Sequence, residues 1–528
     1  MSLPRTRYAF ILILGFLNAG FCSASFEEAG KLYFSGDLKA SLKAYKVVLK
    51  KNAPADVYLN AGFTARELGD ITGASAIMET ALRRYPHDLD VCRLAGSVFM
   101  SAEKFAKAED LLKNVIADGS GVRPIDYIIL ARVQLRMKDY ASAITSLDKA
   151  IALDALSAAA WYYKGIAFSE QGQTDKAADA FKLVLESDPQ FLEARKKLAD
   201  LRLKQGRIDD AWTNYQKLSY AEPENVKFRD IAAGLVKNLS KKPSEIMPPA
   251  QLAAHQYVMR PENTGGLPVV RIGIGTTGSG LPSDSGIVEF VPSSPFEIFD
   301  SSSGVKILSG PAKAKWRIAI NRAKPDRAWI KDESGKVLFS FTNAVLIKQD
   351  KRNSYSTIIK SLMEGHGTAW ATITDKELRG DIEVKKLDNK LAVVNIVNIE
   401  EYVYGVLSSE MPPRFPFEAL KAQAVLARTY ALKNAGKHKH EGYDLCDGQH
   451  CQVYKGVKSE SSRGNSAVDA TRGETLTYEG KPAQTVFSSN SGGFTQSGVS
   501  AGWGDVPYWK VASDYADMSA PPASPFVF

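Results

Sequence analysis

Between His438 and Cys451 the chain gathers three of its six histidines and two of its four cysteines. The order is His440-x5-Cys446-x3-His450-Cys451, with His438 a substitute for His440. Two thiolates and two imidazoles are the donor set of a closed, tetrahedral, structural Zn2+ site, in which four protein ligands leave no position for a substrate. A Cys446–Cys451 disulfide is the alternative, and an exported protein would permit it. Either linkage pins the loop that leads into Gln452-Val453-Tyr454.

The second residue with chemical promise is Glu410, in Glu410-Met411-Pro412-Pro413. Residues before proline are pushed out of helical geometry, so this stretch reads as a stiff loop. A short helical turn over Tyr402–Leu407 precedes it, after a strand over Val393–Ile399. A helix follows, with Pro416 in its first turn and Gly436 ending it. Leu420, Ala424, Ala427 and Ala431 fall on one face of that helix, and a face of alanines lets another element approach closely. Arg428 and Tyr430 lie on other faces, where a solvated surface is the plain alternative for Arg428. A carboxylate fixed at the mouth of such a helix and partly desolvated has a raised pKa and can serve as an acid.

Other chemistries are excluded. Gly273-Ile274-Gly275 sits in β-rich sequence with no helix after it, so no dinucleotide site and no organic cofactor is expected. Ser488 lacks the Gly-x-Ser-x-Gly elbow of a serine hydrolase. The net charge of +8 over 528 residues is too mild for a nucleic-acid footprint. With 45% hydrophobic and 24% charged residues the chain is globular rather than disordered.

The elements that must position these residues begin far upstream. Arg5 and Arg7, the apolar run Tyr8–Leu17 and the small residues Cys22-Ser23-Ala24 read as a secretory signal peptide over residues 1–24. The apolar run falls short of the roughly 20 residues of a spanning helix, which favours cleavage and an exported protein of the periplasm, envelope or exterior over a retained anchor. From 26 to 236 a small residue opens the second helix of each repeat: Ser41, Ala74, Ala108, Ala143, Ala177 and Ala211, spaced 33, 34, 35, 34 and 34. That is the period of tetratricopeptide (TPR) repeats, here about six units, whose groove docks a protein partner or which serve only as a spacer. Residues 237–268 read as a linker rich in Lys, Pro and Gly. Beyond it the apolar period changes to two, as in Val269–Ile274, Gly286–Phe290 and Ala314–Ile320, so β-structure is expected until about residue 400. The expected architecture is therefore multidomain: an all-α TPR superhelix, then an α+β domain over 269–528 with a β-rich N-terminal part and a core at about 379–515.

The stretches YGVLSSEMP and EALKAQAVLARTYAL, the C-x4-C segment with Gln452-Val453-Tyr454, and Phe487-Ser488-Ser489-Asn490-Ser491-Gly492-Gly493 resemble the SpoIID/LytB family, the stage II sporulation protein D and amidase-enhancer domain. The resemblance runs in order from about Val269 to Tyr515. It implies binding to peptidoglycan glycan strands, with Glu410 as the catalytic acid of a lytic transglycosylase. The alternative that it carries is a non-catalytic activator of a partner amidase, recruited through the TPR groove. It implies a zinc site of nearly this spacing, here with one residue fewer between Cys446 and His450. It places the loop with Ser488, Ser491, Gly492 and Gly493 along the substrate cleft, where these residues would bond sugar hydroxyls. Arg428, Tyr430, Gln452 and Tyr454 complete the candidate substrate-binding set. Trp503, Tyr508 and Trp509 are candidate sugar platforms, although aromatics are more often core.

Overall fold

A computed structural model describes residues 23–510, apart from residues 35, 50–52, 120, 257–265, 284, 322, 350–354, 489–494, 496 and 500. The signal-peptide reading lies almost wholly outside the described residues. Among them, no helix is long and apolar enough to cross a membrane. The chain divides into two compact units, one taking in residues 1–201 and 488–528 and the other residues 202–487.

Helices succeed one another from Ser23–Phe34 to Val226–Leu235 with the predicted repeat. Ser41, Ala74, Ala108, Ala143, Ala177 and Ala211 are all fully buried, as the close approach of paired helices demands. Glycine plays the same part on the first helices. A Cβ at Gly62 would lie 2.5 Å from Met78 Sδ, and one at Gly165 would lie 2.8 Å from the Phe181 ring. The turns inside the pairs need a left-handed residue, supplied by Gly36, Gly69, Gly172 and Gly206 at φ between +71° and +88°. In the third and fourth units Glu103 and Lys138 hold that position, at φ +59° and +62°. An L-residue there costs roughly 1–2 kcal/mol, and the exposed Glu103–Arg136 ion pair offsets little of it. Glu103→Gly and Lys138→Gly are each expected to stabilise the array by about 1 kcal/mol, seen as a higher urea midpoint by circular dichroism at 222 nm.

After Leu235 come a short 3-10 turn, Val236–Asn238, and a four-residue helix, Pro243–Ile246. In the connector that follows, residues 250–256 are docked by hydrogen bonds. Ala250 exchanges backbone hydrogen bonds with Ile373 and Asp375, both 2.9 Å. Downstream, the Leu252 amide donates to Asp375 and the Gln256 amide to Glu377.

The β-rich part comprises β1 (Val269–Ile274), β2 (Ile287–Pro292), β3 (Phe296–Asp300), β4 (Lys306–Gly310), β5 (Trp316–Ile320), β6 (Ala328–Lys331), β7 (Val337–Phe341), β8 (Ala344–Gln349), β9 (Thr357–Glu364), β10 (Thr372–Leu378), β11 (Asp381–Leu387), β12 (Lys390–Asn398) and the two-residue β13 (Leu445–Cys446). One sheet has the order β13-β1-β12-β11-β8-β3-β4 and a second the order β10-β9-β2-β5-β6-β7. Apolar residues of both sheets share one core. At its heart Phe296 of the first sheet meets Trp316 of the second edge-on, with ring centres 5.1 Å apart.

The Ile399–Glu410 helix leaves β12 and is buried along Ile399–Leu407. Burial on every side, its Glu400 and Glu401 included, places this helix in the core. It is twelve residues long, not the short turn expected over Tyr402–Leu407. The Asn398 side chain caps it, accepting from the Glu400 amide at 2.9 Å. The Phe417–Lys433 helix packs against it and against the Ser462–Ala470 helix. Its Leu420, Ala424, Ala427 and Ala431 face is wholly buried, as expected.

Candidate functional site

Glu410 is the last residue of its helix, not a loop residue, and the extended Met411 ends that helix before Pro412. Glu400 and Glu401 sit in the first turn of the same helix, where its dipole favours negative charge. At the other end, where Glu410 sits, the dipole disfavours negative charge and so favours the protonated carboxyl group. Burial raises the pKa of Glu410, while the Val453 amide and the Lys455 charge pull it down less strongly, leaving it above the ordinary carboxylate value. That amide donates to Glu410 Oε1 at 2.8 Å. The carboxyl group is thus fixed by one hydrogen bond from the loop that follows Cys451.

That loop carries the metal-type cluster. His438, Cys446, His450 and Cys451 place one donor atom each within 4.8 Å of all the others. His438 Nε2 lies 3.2 Å from His450 Nδ1 and 3.5 Å from Cys451 Sγ. His450 Nδ1 is 3.8 Å from Cys446 Sγ and 3.9 Å from Cys451 Sγ. A tetrahedron with metal–sulfur bonds of about 2.3 Å and metal–nitrogen bonds of about 2.0 Å has edges of roughly 3.3–3.8 Å, so the donor set fits a zinc ion. Both cysteines are free thiols here. The hydrogen bond with Cys451, together with burial, pushes the Cys446 thiol up, while the same bond holds Cys451 down to about 7.

His440 does not join this cluster. The segment Gly436–Asp444 closes on itself through the Gly442 and Tyr443 amides, both donating to the His438 carbonyl. His438 therefore sits at the neck of the turn, buried against Tyr443, while His440 is exposed near its tip. Gly280 completes the wall at φ +79°, where a Cβ would lie 2.5 Å from the His438 ring and 2.9 Å from His450 Nδ1. Asp447, beside Cys446, accepts from the Gly275 and Thr276 amides and from Lys376 Nζ at 2.6 Å. These bonds lock the cluster loop to the end of β1 and to β10.

Arg428 does not face a cleft. It is 1% exposed, and its guanidinium grips Glu400 through two bonds of 2.9 and 2.6 Å, donating also to the Glu474 and Val468 carbonyls. This ion pair ties two helices and the Glu474 segment together. Removing one partner leaves an uncompensated buried charge, so Arg428→Ala is expected to destabilise the protein by roughly 3–5 kcal/mol. Urea unfolding would read the loss as a lower midpoint.

Tyr454 is likewise structural, buried, with its hydroxyl donating to Asn395 Oδ1 at 2.9 Å. Gln452 is buried, accepts from the Tyr402 hydroxyl, and keeps its Nε2 without a partner. Tyr430 is buried, and the electrostatics of its hydroxyl register Cys451, Cys446 and Glu410 around it. Ser488 is exposed and belongs to the other compact unit, while Ser491, Gly492 and Gly493 lie outside the described residues. In that same unit Trp503 and Trp509 pack ring to ring, 5.7 Å apart, with Trp503 largely exposed.

A half-buried carboxyl group at a helix end, held by the loop of a four-donor centre, thus stands in a chain that begins with helical repeats of the TPR kind. Comparisons with known proteins match two parts of the chain to domain models. Residues 387–478 match the model of the SpoIID domain, described as Stage II sporulation protein, and residues 55–88, 130–191 and 168–233 match tetratricopeptide repeat models. The chain thus carries a SpoIID domain in its C-terminal half and TPR repeats before it. An uncharacterized protein of Brachyspira hyodysenteriae is 43% identical over 141 residues, 26% of this chain and 38% of that one. Stage II sporulation protein D of Bacillus amyloliquefaciens is 36% identical over 169 residues, 29% of this chain and 48% of the relative. The amidase enhancer of Bacillus subtilis is 37% identical over 113 residues, 21% of this chain and 15% of the relative. The chain spans less than half the length of each of these relatives.

Proposed function

We propose that this is an exported protein of the bacterial cell wall, and that its SpoIID domain is a lytic transglycosylase cleaving glycan strands stripped of stem peptides. The observation that carries the reading is Glu410: half-buried, raised in pKa and fixed by a single amide. The neutral carboxyl group gives its proton to the glycosidic oxygen as the bond to C1 of muramic acid breaks. The C6 hydroxyl of the same sugar then attacks C1, and the Glu410 carboxylate takes the proton of that hydroxyl. The product is a 1,6-anhydro sugar, and no water is consumed. An internal nucleophile enjoys an effective molarity of about 10⁵ M or more. One carboxyl group, first acid and then base, therefore suffices.

His438, Cys446, His450 and Cys451 would hold a structural zinc ion, whose chemistry is to cross-link the loop that presents the Val453 amide. The TPR array would dock a protein partner. Digestion of denuded glycan strands by the full chain, with products read by mass spectrometry, tests the enzyme reading. Anhydro-muramic ends support it. Strand binding without release favours a second reading, supported by the likeness to an amidase enhancer: a wall-bound activator whose repeats recruit the amidase.

A further inference from the structure

Lys455 follows two residues after the amide that holds Glu410, and its charge is felt at that carboxyl group. The buried cations of the region are engaged by carboxylates. Lys376 binds Asp447 and the Tyr454 carbonyl at 2.6 and 3.0 Å, and Arg379 grips Glu460 through bonds of 2.6 and 2.7 Å. Lys455 differs. Its ammonium lies 3.7 Å from Glu364 Oε1, beyond hydrogen-bond length, and its side chain is 41% exposed. Two positions after the amide that bonds Glu410, it has donors to spare.

The loose pair with Glu364 also fixes what else borders this spot. Glu364 ends β9, and the hairpin that begins at Gly365 returns into β10 with Thr372 opposite Glu364. Within the hairpin the Trp370 indole lies over Gly365, where a Cβ would be 3.0 Å from Trp370 Cδ1 and 3.1 Å from Nε1. The ring is therefore backed by main chain, and Trp370 is 47% exposed. An indole held in this way offers a flat π-face to the C–H groups of a pyranose ring.

We infer that Lys455 and Trp370 form an anionic-sugar subsite on the rim of the Glu410 site. Lys455 pairs there with the lactyl carboxylate that muramic acid exposes once its stem peptide is gone, and Trp370 stacks on a neighbouring ring. The inference rests on the reading of Glu410 as the acid of a glycan-cleaving site. A peptide-bearing muramoyl group presents an amide at the same position, without charge, so Lys455 selects stripped strands by electrostatics. The bound carboxylate also cancels the field that favours ionised Glu410, so the acid keeps its proton when the correct strand is seated.

The test uses the full chain carrying Glu410→Gln, to prevent turnover, and isothermal titration calorimetry with three tetrasaccharides. These are an N-acetylglucosamine–muramic acid repeat with free lactyl carboxylates, the same repeat with carboxamides, and chitotetraose. The carboxylate form is expected to bind about tenfold more tightly than the carboxamide, a factor worth about 1.4 kcal/mol, with the gap narrowing as salt rises. Adding Lys455→Gln should close the gap without weakening the carboxamide, Lys455→Arg should keep it, and Trp370→Ala should weaken all three ligands. A gap that survives Lys455→Gln, or three equal affinities in the parent, overturns the inference. If the unmodified chain cleaves no glycan while the gap still depends on Lys455, the enzyme reading falls and the subsite stands. If cleavage depends on Glu410 while the gap ignores Lys455, the subsite alone falls.

Discussion

Glu410→Gln is expected to lower the release of 1,6-anhydro-muramic ends from stripped glycan strands by about 10²- to 10⁴-fold, the usual contribution of a positioned acid–base group. Glutamine keeps the size of the side chain and an oxygen to accept from the Val453 amide 2.8 Å away, so the loop keeps its anchor. Only the transferable proton is lost. Strand affinity should therefore hold while turnover collapses, a pattern that truncation to alanine would blur. The pH profile carries the same signature. The first step needs Glu410 protonated, and burial lifts its pKa. Turnover should thus fall as pH rises through a value above about 4.3, the ordinary glutamate value. Lys455→Gln removes a charge that favours the ionised form, so it should move that limb to still higher pH. A limb at the ordinary value, insensitive to position 455, would contradict this assignment.

Removal of bound zinc is the second large effect. The purified chain is expected to carry one zinc ion, read by elemental mass spectrometry, and to lose it with His438→Ala or Cys446→Ser but not with His440→Ala. Loss of a ligand should weaken the ion by more than the roughly 10–100-fold that follows mutation of an outer-shell partner. Apart from the Asp447 bonds to the end of β1 and to β10, the loop is held by the two-residue β13 and by a few amides that close the turn from His438 to Tyr443. Chelation should accordingly lower the melting temperature by roughly 6–12 °C, as expected for about 3 kcal/mol in a domain of this size. It should also slow turnover, because the Val453 amide depends on the same loop. A chain that binds no zinc and melts unchanged with chelator would leave the disulfide as the better account.

Much of this was legible in the chain itself. The repeat period follows from close helix packing, which only small residues permit, so Ser41 through Ala211 announce themselves by type and spacing. The alanine face of the Phe417–Lys433 helix is legible for the same reason, and so is β1, whose predicted and observed bounds coincide. Most strands between β3 and β10 were not assigned, because half-buried strands in a large mixed core alternate only weakly.

The sequence by itself determined which residue types could do chemistry: one glutamate before a proline pair, and a run of thiols and imidazoles too dense to be accidental. Tertiary structure decided where each one points. A turn closed by backbone amides chose His438 over His440, although the two lie only two residues apart. Arg428, with nothing local to distinguish it from a surface arginine, became a buried tie because Glu400, far away in sequence, stands opposite it. Lys455 acquired its place beside Glu410 only through the fold of the 446–455 loop. Local spacing encodes periodic packing, whereas the partner of a charge is set by long-range contacts that no local pattern records.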